Sequence, residues 1–420
     1  MHICVLGAGV IGVTTAHQLL QVGHQVTLIE AQAEPGRMTS YGNGAQLSYS
    51  YVAPLADPSV WSKWPYYLFS SESPLTLKPR LDPAQWSWLI KFLAASNVQQ
   101  VKRTTIDLLQ LAFFSRDKLA QLQSVKPLEF SYETSGKLVM FTDKAALESA
   151  RKQVEFQAQY GCQQEVIDAK RCMELEPALA ASKRQWAGGV YTASEEAGDC
   201  AQFCSQLLET MKPSPEFRFL PGSHVSEVNI KDHRLQAVSI GKESIEADSF
   251  VLAMGVDSTA FAHKLGFTLP VYPLKGYSIT VPLAEDVGDA APKVSITDLS
   301  RKIVYARLGN RLRVAGRVEI LGMDRSIPQR AVDELVNGTR ELFPGCGELS
   351  DSGSLSPWAG FRPATPTGLP IIGKSPVSNV FLNVGHGALG WTLACGSAAL
   401  LAEMIAGRPT SINSQAYSYQ

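Results

Sequence analysis

The chain is predicted to be α/β, with one domain on a parallel sheet and a second, interleaved with it in sequence, on an antiparallel sheet. Three observations carry this prediction. A strand, a glycine turn, a helix and another strand follow one another over residues 3–30. Short apolar strands that run into glycine recur near residues 253 and 384, and alternating segments lie between them. The first is a parallel βαβ unit, the second returns the chain to the same sheet, and the third has the period of two of half-buried antiparallel strands.

The N-terminal unit reads ICVLGAGVIGVTTAHQLLQVGHQVTLIE. Its first strand, Ile3–Leu6, runs into Gly7-x-Gly9-x-x-Gly12. Gly7 permits a tight turn, Gly9 lets backbone amides approach a pyrophosphate, and Gly12 lets the helix pack on the strand. Val10 and Ile11 lie in the first helical turn, where free N–H groups and a partial positive charge favour phosphate. After a helix carrying Ala16, Leu19 and Leu20, the strand Val26–Ile29 ends at Glu30, a carboxylate suited to ribose hydroxyls, followed by Ala31. This is a Rossmann-type unit, and it predicts an adenine dinucleotide cofactor.

The 420-residue chain is 45% hydrophobic and 18% charged, which suits a globular protein of about two domains. A formal net charge of −1 offers no polycationic surface, so nucleic acid is not an expected partner. The seven cysteines are scattered, odd in number and nowhere spaced C-x-x-C, which argues against metal sites and disulfides and for a reducing compartment. The first strand starts at His2, leaving no space for a signal peptide, and no apolar run approaches the ~20 residues of a bilayer span. The expected location is cytoplasmic, or peripheral on the inner membrane.

Residues 38–56 are rich in small and hydroxylic side chains and read as a loop, with Ser40, Asn43, Gly44, Gln46 and Leu47 as candidate cofactor contacts. Aromatic residues then concentrate between 57 and 92: Trp61, Trp64, Tyr66, Tyr67, Phe69, Trp86, Trp88 and Phe92. They suit the interior of the second domain, a membrane interface or a partner subunit. Asp82-Pro83 opens a helix expected to carry Trp86, Leu89, Ile90 and Leu93 on one face. Further helices are predicted over 102–123, 143–160 and 198–212, and strands over 136–142, 217–219, 225–230, 234–240 and 249–253. The segments 276–282, 302–308 and 311–318 alternate as antiparallel strands, and Val380–Val384 leads into a helix from Leu389 to Ile405. Residues 1–56, 196–268 and 358–420 are thereby assigned to the dinucleotide domain, and 57–195 and 269–357 to the antiparallel-sheet domain.

Two later features favour a flavin over a nicotinamide. Residues 247–255 read ADSFVLAMG, a strand ending at Ala253-x-Gly255 that in flavoproteins of this build returns beside the first unit. Residues 383–392 read NVGHGALGWT, so Gly385, Gly387 and Gly390 repeat the glycine spacing between a strand and a helix. No second strand or ribose-binding acid follows, so this helix start is read as facing a flavin ring, where its dipole stabilises the anionic reduced form. His386, Leu389, Trp391 and Thr392 share that turn. With no independent second βαβ unit, electrons are expected to leave to oxygen or to a quinone-like acceptor.

Together these motifs resemble the D-amino acid oxidase and glycine oxidase superfamily of FAD-dependent oxidoreductases, and within it the bacterial D-amino acid dehydrogenases of small-subunit type. The likeness runs nearly end to end. It takes in Gly7–Gly12 with Glu30, the runs NGAQLS (43–48) and YVAP (51–54), GDC (198–200), VYPLKGY (271–277), GFRP (360–363) and GHGALGWT (385–392). The resemblance implies a Rossmann-type, glutathione-reductase-like FAD domain, with an antiparallel sheet roofing the substrate over the flavin. It implies oxidation of an amino acid to an imino acid, which hydrolyses to a 2-oxo acid and ammonia. Arg362 matches the arginine that fixes the substrate carboxylate, a role suited to its two parallel charge-assisted bonds. Relatives with covalently attached flavin have cysteine where this chain has Gly360, so the FAD is expected to be non-covalent. Many relatives have Asp where this chain has Thr367, and the loop with Tyr49, Ser50 and Tyr51 departs from the commonest dehydrogenase form.

Other site candidates carry two readings each. His386 either tunes the flavin or touches substrate, or else packs by hydrogen bonding. Tyr277 and Tyr305 either line the pocket beside Arg362 or belong to the core. Asn43 and Gln46 bind flavin or stabilise their own turn, and Val225 contacts the cofactor through its backbone or is a core valine.

The leading functional expectation is oxidation of D-amino acids with neutral or cyclic side chains, by hydride transfer from the α-carbon to flavin N5. Electrons would pass to a quinone-like or respiratory-chain acceptor. The alternatives are an oxidase that makes peroxide and a non-catalytic flavin subunit of a heteromeric complex.

Overall fold

The computed structural model describes residues 1–58, 61, 75–284, 287–347, 349 and 355–420. Trp64, Tyr66, Tyr67 and Phe69 lie outside the described residues. The strands begin with β1 (His2–Leu6), β2 (Gln25–Ile29) and β3 (Gln46–Leu47). Next come β4 (Leu75–Leu77), β5 (Lys137–Phe141), β6 (Glu165–Ile167), β7 (Gly188–Thr192) and β8 (Glu196–Ala197). The middle of the chain adds β9 (Phe217–Leu220), β10 (Val225–Lys231), β11 (Arg234–Ile240), β12 (Glu243–Glu246) and β13 (Ser249–Leu252). Four strands follow: β14 (Tyr272–Pro282), β15 (Ser295–Asp298), β16 (Ile303–Leu308) and β17 (Arg311–Ile320). The last three are β18 (Trp358–Ala364), β19 (Ile371–Lys374) and β20 (Val380–Val384).

Six strands form the first sheet in the order β19-β20-β13-β1-β2-β9, parallel except for β19. Its strands are almost wholly apolar because both faces are covered. Helices Val10–Gln21, Cys200–Met211 and Gly390–Ile405 pack on one face, and the three-stranded sheet β10-β11-β12 covers the other through Leu235, Val238 and Ile245. The segment Gly387–Ile405 is long and apolar enough to cross a bilayer, contrary to the sequence expectation, yet it is packed as the central helix of this core.

The second sheet runs β18-β14-β17-β16-β15-β5-β7-β6, with β4 also on β17. It is antiparallel apart from the pairs β5·β15 and β4·β17, which are parallel. Strand alternation divides its faces. The outer face buries Leu138, Ile279, Val281, Ile296 and Val314 against the helix Gln329–Leu342. The inner face looks toward the dinucleotide domain.

Two sequence expectations need correction. β18 pairs with β14 over seven residues and so belongs to the second sheet, although it falls within segment 358–420. The helix Val98–Val125 packs on Gly390–Ile405, where a Cβ at Gly396 would lie 2.8 Å from Ser115, so this part of segment 57–195 builds the first core. In the helix Pro83–Ala95 the buried face is Gln85, Trp88, Leu89, Phe92 and Ala95, while Trp86 and Ile90 are exposed. The capping expectation there holds: Asp82 accepts from Ala84 N with Pro83 in the first turn, worth about 1 kcal/mol. Trp88 stacks on Phe92 and donates to the Ala364 carbonyl at 2.8 Å, so this helix closes one end of the inner face.

Candidate active site

The glycine turn after β1 is built by three different constraints. Gly7 has φ +97°, and a Cβ there would meet the Ala253 carbonyl at 2.7 Å. A Cβ at Gly12 would sit 1.7 Å from the Gly7 carbonyl oxygen, so the helix can approach only with glycine at that position. Gly9 differs: its φ is −67°, and a Cβ would meet only Ser40 Oγ, at an ordinary 3.5 Å. Neither backbone nor packing demands glycine at 9, which leaves the position open to the close approach of a pyrophosphate. Val10 N donates to Ser40 Oγ at 3.0 Å, and Ile11 follows, half-buried, in the same turn.

Glu30 is buried at the end of β2 and accepts from Ala8 N at 2.6 Å and Gln32 N at 2.8 Å, with Ala31 between them in sequence. A carboxylate has about four acceptor positions, so ribose hydroxyls can still be received. Gly255 has φ +57° with open space around it, beside the Gly7 turn through Ala253. Val225 begins β10, pairs with Ile240 and packs against the core that covers the parallel sheet. These residues fit an adenine dinucleotide.

Arg362, Gly360 and Trp358 of β18 share the inner face with Leu274, Gly276 and Ser278 of β14, their register partners. The Arg362 guanidinium lies flat on Gly276, where a Cβ would be 2.4 Å from Nη1 and 2.6 Å from Cζ. The Trp358 indole lies over Gly360 and reaches Gly42, with hypothetical Cβ distances of 1.9 Å and 2.1 Å. Two missing side chains thus make a trough in which a cation and an aromatic ring sit side by side. Burial pulls Arg362 down to about 10, so it stays charged at neutral pH, and among the described residues no carboxylate pairs with it. Its Nη1 donates to the Arg317 carbonyl at 3.0 Å.

The loop after Ser40 is clamped onto this sheet. Arg313 donates to the Tyr41 and Asn43 carbonyls, and Asn43 Oδ1 accepts from Ala45 N. A Cβ at Gly44 would be 2.9 Å from Val304, so the loop lies directly on β16. Gln46 donates to the carbonyls of Ile296 and Tyr305 and accepts from Lys137 Nζ at 2.9 Å. Leu47 is buried in the first core, and Ser48 N donates to Thr392 Oγ1, which joins the loop to the helix Gly390–Ile405. Asn43 and Gln46 therefore hold the loop in place.

At the start of that helix, Gly385 (φ +81°) and Gly387 (φ +54°) turn the chain, and Leu389 and Gly390 open the first turn. The His386 side chain is buried, with Nε2 3.1 Å from Ser397 Oγ, and burial lowers it to about 3, so it is neutral. Trp391 is turned inward, donating to the Gly198 carbonyl and packing on Phe130 and Phe203.

Neither candidate tyrosine lies beside Arg362. Tyr277 is three residues from Leu274 on β14 and therefore faces outward, where its hydroxyl donates to Glu319. Tyr305 also faces outward, its ring edge-on to Phe343 at 5.2 Å. Sequence reasoning also missed groups on the inner side: Trp358, Arg313, and the buried pair Lys137 and Glu195. The glycines at 42 and 360 were the available signal for Trp358. The pair Lys137 and Glu195 had no local signature.

This architecture joins a Rossmann-type dinucleotide domain to a mainly antiparallel sheet, with the loop after Ser40 bridging the two. Residues 2–404 match the family model described as FAD dependent oxidoreductase, and the chain belongs to that family. It is similar to D-amino acid dehydrogenase 2 of Ralstonia nicotianae, with 46% identity over 100% of this chain and 99% of the relative. Its likeness to D-amino acid dehydrogenase 2 of Pseudomonas aeruginosa is 44% identity over 98% and 96% of the two chains. Among solved structures it resembles glycine oxidase from Geobacillus kaustophilus, with TM-score 0.76, 18% identity and coverage of 100% and 98%. L-proline dehydrogenase from P. horikoshii matches with TM-score 0.75, 16% identity and coverage of 100% and 96%.

Proposed function

We propose that this chain oxidises D-amino acids with neutral or cyclic side chains to imino acids, which hydrolyse to 2-oxo acids and ammonia. The observation that carries the proposal is Arg362: a desolvated cation on the inner face of the sheet, without a carboxylate partner among the described residues. A substrate carboxylate supplies the missing countercharge through two parallel bonds, which orient as well as attract. The bound FAD supplies the hydride acceptor. Arg362 fixes the substrate so that its α-hydrogen is aimed in one direction, and orientation of this kind is a large part of rate enhancement in such a site. Neutral His386 adds no competing positive charge. The D-isomer is favoured by the names of the relatives at 44–46% identity.

Non-covalent FAD is supported by Gly360, whose side-chain volume is filled by the Trp358 ring and so admits no cysteine in this arrangement. The reading of electron transfer to a quinone-like acceptor at the inner membrane face is supported by exposed Leu81, Trp86 and Ile90 around the helix Pro83–Ala95. Trp61, exposed and bonded to the Ser96 carbonyl, lies at the other end of that helix.

The test is anaerobic bleaching of the yellow holoenzyme by D- and L-amino acids, glycine, sarcosine and proline derivatives. Bleaching by D-amino acids is expected, with slow recolouring in air and fast recolouring with a quinone. Fast recolouring in air would make the enzyme an oxidase. Bleaching by none of these compounds would overturn the proposal in favour of a non-catalytic flavin subunit.

A further inference from the structure

β17 carries one residue too many opposite Gly276. Lys275 pairs with Glu319 and Tyr277 with Gly316, so Arg317 and Val318 together face the single residue on which the Arg362 guanidinium lies. Arg317 has φ +58°, the left-handed region that a residue with a Cβ adopts at a cost. Glycine would adopt this conformation cheaply, and bulges of this kind commonly use it. Here the position is arginine, and both halves of the residue are engaged. The side chain points to the outer face, where Nη2 lies 3.1 Å from Glu319 and Nη1 bonds Glu334 of the helix Gln329–Leu342. Glu319 in turn accepts from Tyr277, and Glu334 is paired at 3.0 Å with Arg330. On the inner face the Arg317 carbonyl accepts from Arg362 Nη1 at 3.0 Å.

We propose that Arg317 is a positioning residue: the ion pairs on the outer face hold the bulge in its left-handed turn, and the carbonyl so presented aligns the Arg362 guanidinium for the substrate carboxylate. This rests on the assignment of Arg362 as the carboxylate-binding residue. A carbonyl suits the task better than a carboxylate would, because it orients the cation without neutralising it. One of the five guanidinium donors is used, leaving an edge for bidentate recognition. The outer-face helix is thereby coupled to substrate binding although it touches no substrate.

The experiment compares Arg317→Ala, Arg317→Lys, Glu334→Ala and Arg362→Lys holoenzymes. Each is titrated with acetate as a non-oxidisable carboxylate, read by the flavin absorbance, and with the best amino-acid substrate in anaerobic stopped flow. In Arg317→Ala, acetate and substrate dissociation constants should each rise about tenfold, the order of one charged hydrogen bond losing its alignment, with FAD content unchanged. Glu334→Ala should show the same effect at smaller size, since Glu319 remains. Arg317→Lys keeps a cation for the two carboxylates and should recover part of the loss. If both Arg317→Ala and Glu334→Ala bind acetate and substrate as the wild type does, while Arg362→Lys binds both more weakly, the positioning role is wrong and the carboxylate site stands. If Arg362→Lys also binds both normally, the carboxylate assignment fails and this proposal falls with it. Should Arg317→Ala not fold, Glu334→Ala decides alone by the same criterion.

Discussion

Lys137 rests on the ring of Tyr51, its Nζ 4.4 Å from the ring centroid, and donates to Ser48 Oγ at 2.8 Å. The ammonium is buried, and its nearby carboxylate, Glu195, is buried as well and accepts from Ser50 N. Desolvation lowers the lysine and raises the acid, each opposed by the other's charge. The glutamate shifts from its ordinary 4.5 to about 7 in the folded protein, so between these values the folded state holds a proton that the unfolded state has lost. Its contribution to stability therefore falls as pH rises through this window. Glu195→Gln should remove that slope, gaining stability relative to wild type between pH 4.5 and 7. Urea unfolding of both proteins across the window checks this, and parallel profiles would refute it.

Gly9 and Gly12 are three residues apart, yet they should respond oppositely to alanine. Gly9→Ala meets only Ser40 Oγ, at an ordinary contact distance and an ordinary φ, so the apoprotein should keep its melting temperature while FAD binding weakens about tenfold or more, the methyl standing where backbone would approach the pyrophosphate. Gly12→Ala drives a methyl into the Gly7 carbonyl and should destabilise the fold itself by about 3 kcal/mol or more. Thermal melts with and without FAD separate the two. A Gly9→Ala protein with wild-type FAD affinity would remove the assigned phosphate contact.

The constraints at these glycines are local, which is why they are legible in sequence, as are the Asp82 cap and the strand alternation of β16 and β17. Arg362 is legible through the resemblance, because the run GFRP around it is short and specific, although nothing in that run announces the strand in which it lies. Facing is a different matter. Tyr277 looks like a partner for Arg362 until the register shows that Leu274, and not Tyr277, shares its face of the sheet. Which face is inner depends on the helix Gln329–Leu342, whose apolar positions Val332, Leu335, Val336 and Leu342 recur at helical spacing and which the sequence analysis did not name. The helix Pro83–Ala95 has apolar residues on two faces, so periodicity alone could not choose Trp88 and Phe92 over Trp86 and Ile90. That choice is made by Tyr272 and Leu274, nearly two hundred residues away in the chain. The parallel pairing of β5 with β15 is likewise set by partners distant in sequence.

Trp358 and Gly360 should behave as a coupled pair. Gly360→Ala places a methyl within the indole's volume and should cost about 1–3 kcal/mol through overpacking. Trp358→Ala empties that volume at its own cost. The double variant should be more stable than the sum of the two predicts, by on the order of 1–2 kcal/mol, since each change relieves the other. Strict additivity in a double-mutant cycle would show that the ring does not occupy the site next to Arg362.

The exposed side of the helix Pro83–Ala95 offers a test of the proposed membrane-borne acceptor. Trp86 and Ile90 are four residues apart and project on the same side, while Trp88 and Phe92 anchor the helix to the second sheet. Replacing Trp86 and Ile90 with glutamate leaves the anchor and the Arg362 trough intact, so turnover with a soluble dye acceptor should be unchanged. Loss of two large side chains from a membrane interface should weaken binding to vesicles by about 2 kcal/mol or more, over tenfold in affinity. Turnover with a quinone embedded in those vesicles should fall in step. Flotation of wild type and variant with vesicles containing anionic lipid is the direct measurement. If both float equally, this face is not the membrane contact; if neither floats, the acceptor is met in solution and the exposed tryptophan has another use.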